Sequence, residues 1–408
     1  MLMSQKVFDT IFPLWRHRNI AMFYILSAVY NMWFIAGVWV FVWNRFITTG
    51  QIGIADAIAF SVGFLVELPS GVFADLIGRK KAIIIGNVLL TLGNFFMTFS
   101  SSFWPLTLWF LTWTIGYAFQ SGATEALVYD SVKKLGQEAK WPKVIATSIV
   151  IGRTTLLTAV ALGGFLYSIW FRLPYLAFAV SGIAGIVAAL LLHDIPVIKT
   201  SSLWSVNTYI KQIKDGVSVL TKLRVLPISL ISLTVAGFAF IYNWGILRPL
   251  TGERFGYTPV TFPLLLSVIS LLVILSTVVL VKLRKRLGLE SLLLVSAGAY
   301  SLLFFLMGFP NTWLLGGLIM IALTIASAYV DQLFSQFINA HTPEAHRATT
   351  LSAVALFTRL PYVILTILIG TLAQNNLLPQ FTLVVGVVAM CVWAYSLYRF
   401  TNLKTSKR

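Results

Sequence analysis

The stretch Glu67-Leu-Pro-Ser-Gly-Val-Phe-Ala-Asp-Leu-Ile-Gly-Arg-Lys-Lys-Ala-Ile83 decides how the rest of the chain is read. It joins two apolar runs, at 53–76 and 81–100, each of which is long enough to span a lipid bilayer. Gly78 permits a sharp reversal of the chain, and three cations follow it directly. Because basic loops are retained on the cytoplasmic side of membranes, the stretch predicts a tight cytoplasmic turn that joins two transmembrane helices.

The composition is that of a membrane protein. Of the 408 residues 58% are hydrophobic and only 11% are charged, and the mean hydropathy is +0.87. These values exclude a soluble globular domain. The single cysteine, Cys391, excludes a disulfide framework and a thiolate metal site. Twelve apolar runs are predicted to cross the membrane, at 19–43, 53–76, 82–100, 104–131, 143–168, 173–192, 225–250, 258–281, 290–308, 313–340, 347–372 and 379–399.

The positions of the cations predict the orientation of the chain. A net charge of +17 could indicate a nucleic-acid partner, but the lysines and arginines are not spread evenly. Alternate connections carry 24 of them on one side and 4 on the other, and the remaining 2, Arg153 and Arg359, lie within runs. This is the positive-inside rule. It predicts an integral multi-pass protein of the cytoplasmic (inner) membrane with both termini cytoplasmic, and no nucleic-acid partner. Without a small-residue cleavage site, the first run is expected to remain as an anchor.

The stretch after the second run also resembles a known family. Its pattern G-x-x-x-D-x-x-G-R-K, with Gly71, Asp75, Gly78 and Arg79, is similar to the loop joining helices 2 and 3 of major facilitator superfamily transporters. The resemblance implies an all-α polytopic membrane protein, with twelve transmembrane helices in two pseudo-symmetric six-helix bundles. It also implies a gate network in which an acid at the end of helix 4, here Asp130, joins the Asp and Arg of the loop.

The predicted domains follow from this arrangement. Residues 1–192 form an N-terminal bundle, 193–224 a cytoplasmic linker and 225–408 a C-terminal bundle. Apolar residues recur in the linker at three- and four-residue steps, which predicts an amphipathic interfacial helix. A basic turn at 282–288 repeats the first turn without its aspartate, as expected for two related halves.

Five ionisable residues lie within runs, away from the ends: Glu67, Glu125, Arg153, Asp331 and Arg359. We expect Glu125 to pair with Arg153 and Asp331 with Arg359, which leaves Glu67 without a cation. An acid alone in hydrocarbon must be protonated, hydrated or occupied by substrate, and such an acid could carry a proton. The alternative is that the pairs are structural and fix the rotation of the helices. None of the four histidines lies mid-run, so a proton relay must use carboxylates.

The resemblance further implies a mid-membrane substrate cavity lined by helices 1, 4, 7 and 10. Polar side chains at this depth usually face protein or a cavity. The sequence alone does not fix which of them face inward. The candidates are Asn31, Gln120, Asn243 and Gln332, with Tyr30, Trp244 and Tyr329 as aromatic walls.

The function that we expect is secondary active transport of a small molecule by alternating access. Proton coupling and a monomer are expected, with no cofactor and no metal. Aromatic-rich runs and scarce cavity charge favour efflux of amphipathic compounds. The alternative is uptake of a polar or anionic metabolite such as a sugar or organic acid. It is favoured by Arg153 and Arg359, by Ala159-Val160 where drug exporters carry Gly-Pro, and by the absence of their helix 4 arginine.

Two remote alternatives remain at this point. A multi-pass membrane enzyme would need a polar cluster near one interface, and His341 and His346 are the only candidates. A sensor would keep the fold without transport. The chain has no G-x-x-x-x-G-K-[ST] motif for nucleotide binding, so transport driven by a nucleotide in this chain is not expected.

Overall fold

The computed structural model describes residues 9–195, 214, 217–222, 225–342 and 347–405. Every regular element in these ranges is helical. The predicted amphipathic helix of the linker 193–224 lies largely outside the described residues. The helices of the first half are α1 Arg18–Tyr30, α2 Trp39–Trp43, α3 Thr49–Ile77, α4 Arg79–Phe99, α5 Phe103–Lys134, α6 Trp141–Ile169 and α7 Leu173–Leu191.

The second half, like the first, contains a short helix after its first long one. That helix, α9, begins after the helical conformation is interrupted at Gly245. The helices are α8 Leu226–Trp244, α9 Leu247–Arg254, α10 Thr261–Leu287, α11 Leu289–Leu306, α12 Trp313–His341, α13 Arg347–Gln374 and α14 Leu378–Thr405.

Within the described residues, ten helices are long and apolar enough to cross a membrane. The predicted runs without such a helix are the first and the fourth. The fourth run forms α5, which is 32 residues long but carries polar residues from Gln120 to Asp130. The all-α polytopic fold is as predicted, whereas the first run is not one continuous helix. It is divided into α1 and α2 by an irregular segment, residues 31–38.

Packing accounts for this break. Gly163 of α6 lies so close to the segment 31–38 that a Cβ on it would be 2.0 Å from the carbonyl oxygen of Phe34. Gly37 also packs closely, since a Cβ on it would be 2.8 Å from Pro263. A regular helix at 31–38 would therefore bring its backbone and side chains into collision with α6 and Pro263.

The predicted basic turns are present in both halves. Gly78 stands between α3 and α4 with φ +98°, and Gly288 stands between α10 and α11 with φ +81°. Side chains with a Cβ rarely adopt this left-handed backbone, so glycine is required at both reversals. Three cations follow Gly78 directly, and four cations lie at 282–286, just before Gly288.

The chain divides into two compact units. The first contains residues 1–47, 58–202 and 259–267, and the second contains 48–57, 203–258 and 268–408. The first residues of α3 thus pack within the second unit, and the first residues of α10 pack within the first unit. The division into 1–192, 193–224 and 225–408 remains a prediction.

Candidate functional site

A cavity of about 270 Å³ lies inside the second unit. Three helices line it, and each does so with residues spaced by three or four positions, which is one face of an α-helix. The lining residues are Ala236, Ala239, Phe240, Asn243 and Trp244 of α8, Asp331, Phe334, Ser335 and Ile338 of α12, and Leu351, Val354, Ala355, Thr358 and Arg359 of α13.

The cavity combines opposite charges with aromatic walls. Asp331 and Arg359 are its two ionisable lining residues, and Asn243 supplies an amide whose Oδ1 is buried without a hydrogen bond from the described residues. Phe240, Trp244 and the other apolar residues form most of the wall. Such an arrangement can accept a small compound that is apolar over much of its surface and carries one or two polar groups.

Three predicted site residues and one predicted aromatic wall therefore meet in one cavity. Asp331, Arg359, Asn243 and Trp244 are brought together by the structure. The predicted ion pair is nevertheless not formed, because Asp331 makes no salt bridge or hydrogen bond with Arg359 in this structure. The two groups instead face a shared space that a ligand could occupy. Gln332, the neighbour of Asp331, is exposed and does not line the cavity.

The first unit holds a much smaller cavity, of about 20 Å³. Gln120 and Tyr30 line it, together with Asn87 and Asn94. Asn31 does not line this cavity. Its amide donates to the carbonyl of Ser27 in the preceding turn of α1 at 2.8 Å. The volume is that of a water molecule rather than of a solute.

The remaining predicted ionisable residues lie elsewhere in the first unit. Glu125 and Arg153 are both exposed and form no ion pair with each other, so that predicted pairing is wrong for this structure. Each side chain is exposed on its own helix, Glu125 on α5 and Arg153 on α6, where water can solvate the charge without a partner. Glu67 is exposed on α3 and lies close enough to the Tyr30 hydroxyl for the two to interact electrostatically.

The gate motif is partly described. Arg79, the first residue of α4, forms a salt bridge and hydrogen bond with Asp130 near the end of α5. Beside it, Asn19 donates to the Ser131 hydroxyl at 2.8 Å and accepts from the backbone N–H of His193 at 2.7 Å. The surroundings of Gly71 and of the Asp75 side chain lie outside the described part of the chain. The role of this cluster as a gate remains a prediction.

Sequence reasoning missed one buried acid. Asp56, near the start of α3, is 1% exposed. Its Oδ2 accepts hydrogen bonds from the Tyr362 hydroxyl and, at 2.9 Å, from the Thr366 hydroxyl of α13. It was overlooked because it lies only three residues into its apolar run, where an acid usually reaches the membrane surface. The apolar residues on both sides of it, Ala55 and Ala57, were the available signal.

A metal centre has no support among the described residues. They contain no group of three or more His, Cys, Asp or Glu side chains that could hold a metal ion. His341 instead packs against the Phe337 ring, with its Nδ1 2.9 Å from the Phe337 carbonyl oxygen. His346, the other residue of the remote enzyme hypothesis, lies outside the described residues.

These features define a polytopic helical membrane protein with an internal solute-sized cavity, which is the architecture of a transporter. The family model of the Major Facilitator Superfamily matches residues 19–366. The chain therefore belongs to the major facilitator superfamily. No curated protein sequence matches the chain at a significant level.

Solved structures show the same fold. The nucleoside transporter NupG is similar with a TM-score of 0.73 and 16% identity, over 94% of this chain and 98% of that one. A D-xylose-proton symporter gives 0.67 and 13%, over 93% and 96%. An auto-inhibited POT family peptide transporter gives 0.68 and 13%, over 94% and 96%. At these identities the likeness establishes the fold of secondary transporters and leaves the solute open.

Proposed function

We propose that the chain is a proton-coupled secondary transporter that exports small amphipathic compounds through the cavity of the second unit. It would act as a monomer in the cytoplasmic membrane, with both termini cytoplasmic, as the 24-to-4 distribution of cations favours. The observation that carries the proposal is the meeting of Asp331 and Arg359 in an aromatic-walled cavity of about 270 Å³.

Asp331 is the acid that we assign to proton coupling. It faces the cavity and makes no salt bridge with a described cation. A carboxylate in such a place is costly to keep ionised unless it is hydrated or paired. A proton or a cationic group of the solute can neutralise it, so that the two compete for one site. That competition couples an outward-moving solute to an inward-moving proton.

The aromatic wall favours an amphipathic solute. Phe240, Trp244 and Phe334 offer ring surfaces that bind apolar and cationic groups without a fixed hydrogen-bond pattern. Uptake of an anionic metabolite is the second candidate, and a specific observation favours it. Arg359 and the Asn243 amide line the same cavity and could hold a carboxylate.

Proteoliposomes that contain a pH-sensitive dye test the proposal. The panel would include amphipathic cations, zwitterions, sugars and organic anions, each with and without a proton gradient. We expect an amphipathic cation to move protons in the unmodified chain and not in Asp331→Asn. Gln332→Ala is the matched control, since this neighbouring residue lies outside the cavity, and it should behave as the unmodified chain.

The same assay separates the alternatives. If an organic anion were the transported compound, and its transport were lost in Arg359→Gln, the proposal of cation export would be replaced by that of anion uptake. Proton movement that survives in Asp331→Asn and disappears in Glu67→Gln would move the coupling site to the first unit. Solute movement that is indifferent to a proton gradient in every variant would overturn proton coupling.

A further inference from the structure

The start of α3 is fixed to α13 by close packing within the second unit. The Gly50 N–H donates to the Gln374 side-chain oxygen at 3.3 Å. One turn further on, a Cβ on Gly53 would be 2.6 Å from the Thr366 carbonyl oxygen and 3.2 Å from the Cα of Gly370. The two helix backbones therefore touch, as small residues allow in membrane proteins.

Asp56 is the next residue of α3 on this contacting face. Its spacing of three from Gly53 and six from Gly50 places all three residues on one side of the helix. The Tyr362 and Thr366 hydroxyls both donate to its Oδ2, while its Oδ1 is buried and accepts no hydrogen bond from the described residues. The carboxyl group is thus enclosed by the helix crossing with half of its hydrogen-bonding capacity unused.

No described cation compensates a charge on Asp56. On α13 the one titratable side chain that contacts it is Tyr362. Gly245 lies against Tyr362, and Arg248, the first charged residue after Gly245 in the sequence, interacts with Tyr242. The partners of the Asp56 carboxyl group are Tyr362 and Thr366. A buried carboxylate with neither a cation nor full hydrogen bonding is strongly disfavoured relative to the neutral acid. The packed crossing is consequently compatible with a protonated Asp56, and ionisation would require water to enter the crossing.

We propose that Asp56 is a second proton-binding site, and that its proton holds the start of α3 against α13. Loss of the proton at higher pH separates this crossing, and rebinding of the proton restores it. Only the role of this proton in transport rests on the proposed function. Proton binding at Asp56 itself can be measured without any solute. A sodium ion is not the ligand that we assign, since both hydroxyls already bond directly to the carboxyl oxygen.

The comparable position of the other half contains no titratable group. Near the start of α10, in the first unit, Ser267 donates to the Leu157 carbonyl oxygen of α6 at 3.1 Å. This neutral bond joins α10 to α6 as Asp56 joins α3 to α13. Ser267→Ala is therefore a matched control that alters a similar crossing without removing a proton site.

Disulfide cross-linking of the full-length chain tests the proposal. In a Cys391→Ser background, Gly50→Cys with Gln374→Cys replaces the contact between these two residues by a thiol pair. The rate of cross-linking is first corrected for the pH dependence of the thiolate fraction, which an exposed cysteine pair measures. With Asp56 present, the corrected rate should fall about fivefold or more as pH rises. With Asp56→Asn, which keeps an oxygen acceptor but cannot ionise, the rate should stay high at every pH. Ser267→Ala should leave the pH dependence intact.

Infrared difference spectra between acid and alkaline pH supply a second readout. The protonated carboxyl band of Asp56 should be present at acid pH, disappear at alkaline pH and be absent from Asp56→Asn. Asp331→Asn should remove a different band, so that failure of the proposed function and failure of this inference are distinguishable. Thr366→Val removes one donor to the carboxylate and should move the midpoint of cross-linking to higher pH.

Two results would overturn the inference. One is a cross-linking rate, corrected as above, that does not depend on pH while Asp56 is present. The other is a rate that responds to sodium at constant pH, which would make the cluster a metal-cation site. Should Asp56→Asn fail to fold, the shift of midpoint in Thr366→Val decides, and an unmoved midpoint counts against the proton site.

Discussion

Substitution of Gly163 by alanine is the sharpest test of the packing in the first unit. A Cβ on this residue of α6 would stand 2.0 Å from the carbonyl oxygen of Phe34 and 2.9 Å from its carbonyl carbon. Ordinary contact begins at 3.4 Å, so the two backbones would have to separate by more than an ångström. The obstacle is main chain, which cannot rotate away as a side chain could. The Phe34 N–H is moreover bonded to the Met32 carbonyl, which keeps the segment in place.

The expected cost follows from two opposing effects. Overpacking of a tight interior costs about 1–3 kcal/mol and occasionally more. Alanine is favoured over glycine within a helix by about 1 kcal/mol. Because the clash is with backbone, we take the upper part of the first range, which leaves a net destabilisation of about 2 kcal/mol. For a unit of this size that corresponds to a fall in Tm of roughly 4–8 °C.

Thermal unfolding of the purified protein in detergent, followed by tryptophan fluorescence, measures this effect. Gly122→Ala is the control, because a Cβ on Gly122 of α5 meets nothing within 4 Å. It should leave the Tm unchanged or raise it slightly. If Gly163→Ala melted at the temperature of the unmodified protein or above it, the close approach of α6 to the irregular segment would be refuted.

Substitutions test three further contacts outside the cavity. Arg79→Gln and Asp130→Asn should each destabilise the protein. A double-mutant cycle should give a coupling energy of about 1 kcal/mol or less, because the pair is partly exposed. Fully additive effects of the two substitutions would contradict the salt bridge. Tyr175→Phe removes the oxygen that accepts from the buried Trp43 indole at 2.9 Å, which should cost about 1–3 kcal/mol in thermal unfolding; an unchanged Tm would refute the bond. Arg254→Gln loses bonds to two backbone carbonyls beyond the end of α11 and should lower stability by about 1–3 kcal/mol, whereas Arg254→Lys should retain part of it.

The site was predictable where helical spacing and charge coincide. Asp331, Arg359 and Asn243 stand out in a sequence because polar groups are rare within apolar runs, and all three line the cavity. Phe334 and Ser335 could have been added by continuing the face of α12 from Asp331 at three- and four-residue steps. The absence of a direct Asp331–Arg359 bond could not, because it depends on the distance between α12 and α13 at that level.

The first run and Asp56 show where sequence reasoning ends. Residues 31–38 are largely apolar and aromatic, so nothing local interrupts the predicted helix. Their irregular path follows from the approach of Gly163, a contact with a residue far along the chain. The burial of Asp56 depends in the same way on Gly53 and Gly370, which bring α13 over it. Tertiary packing of small residues, which leaves little trace in hydropathy, determined both features.

The two halves share a helix pattern but place different chemistry on it. The basic turns at Gly78 and Gly288 have the same backbone, which is what a duplicated fold requires. The cavity of the first unit holds about 20 Å³ and is lined by uncharged residues, whereas that of the second holds about 270 Å³ and has both an acid and a base. The helix crossing at Ser267 is likewise neutral, and the one at Asp56 can ionise. Since only ionisable groups respond to a proton gradient, we expect the cavity and the Asp56 crossing of the second unit to be the places where solute and protons bind.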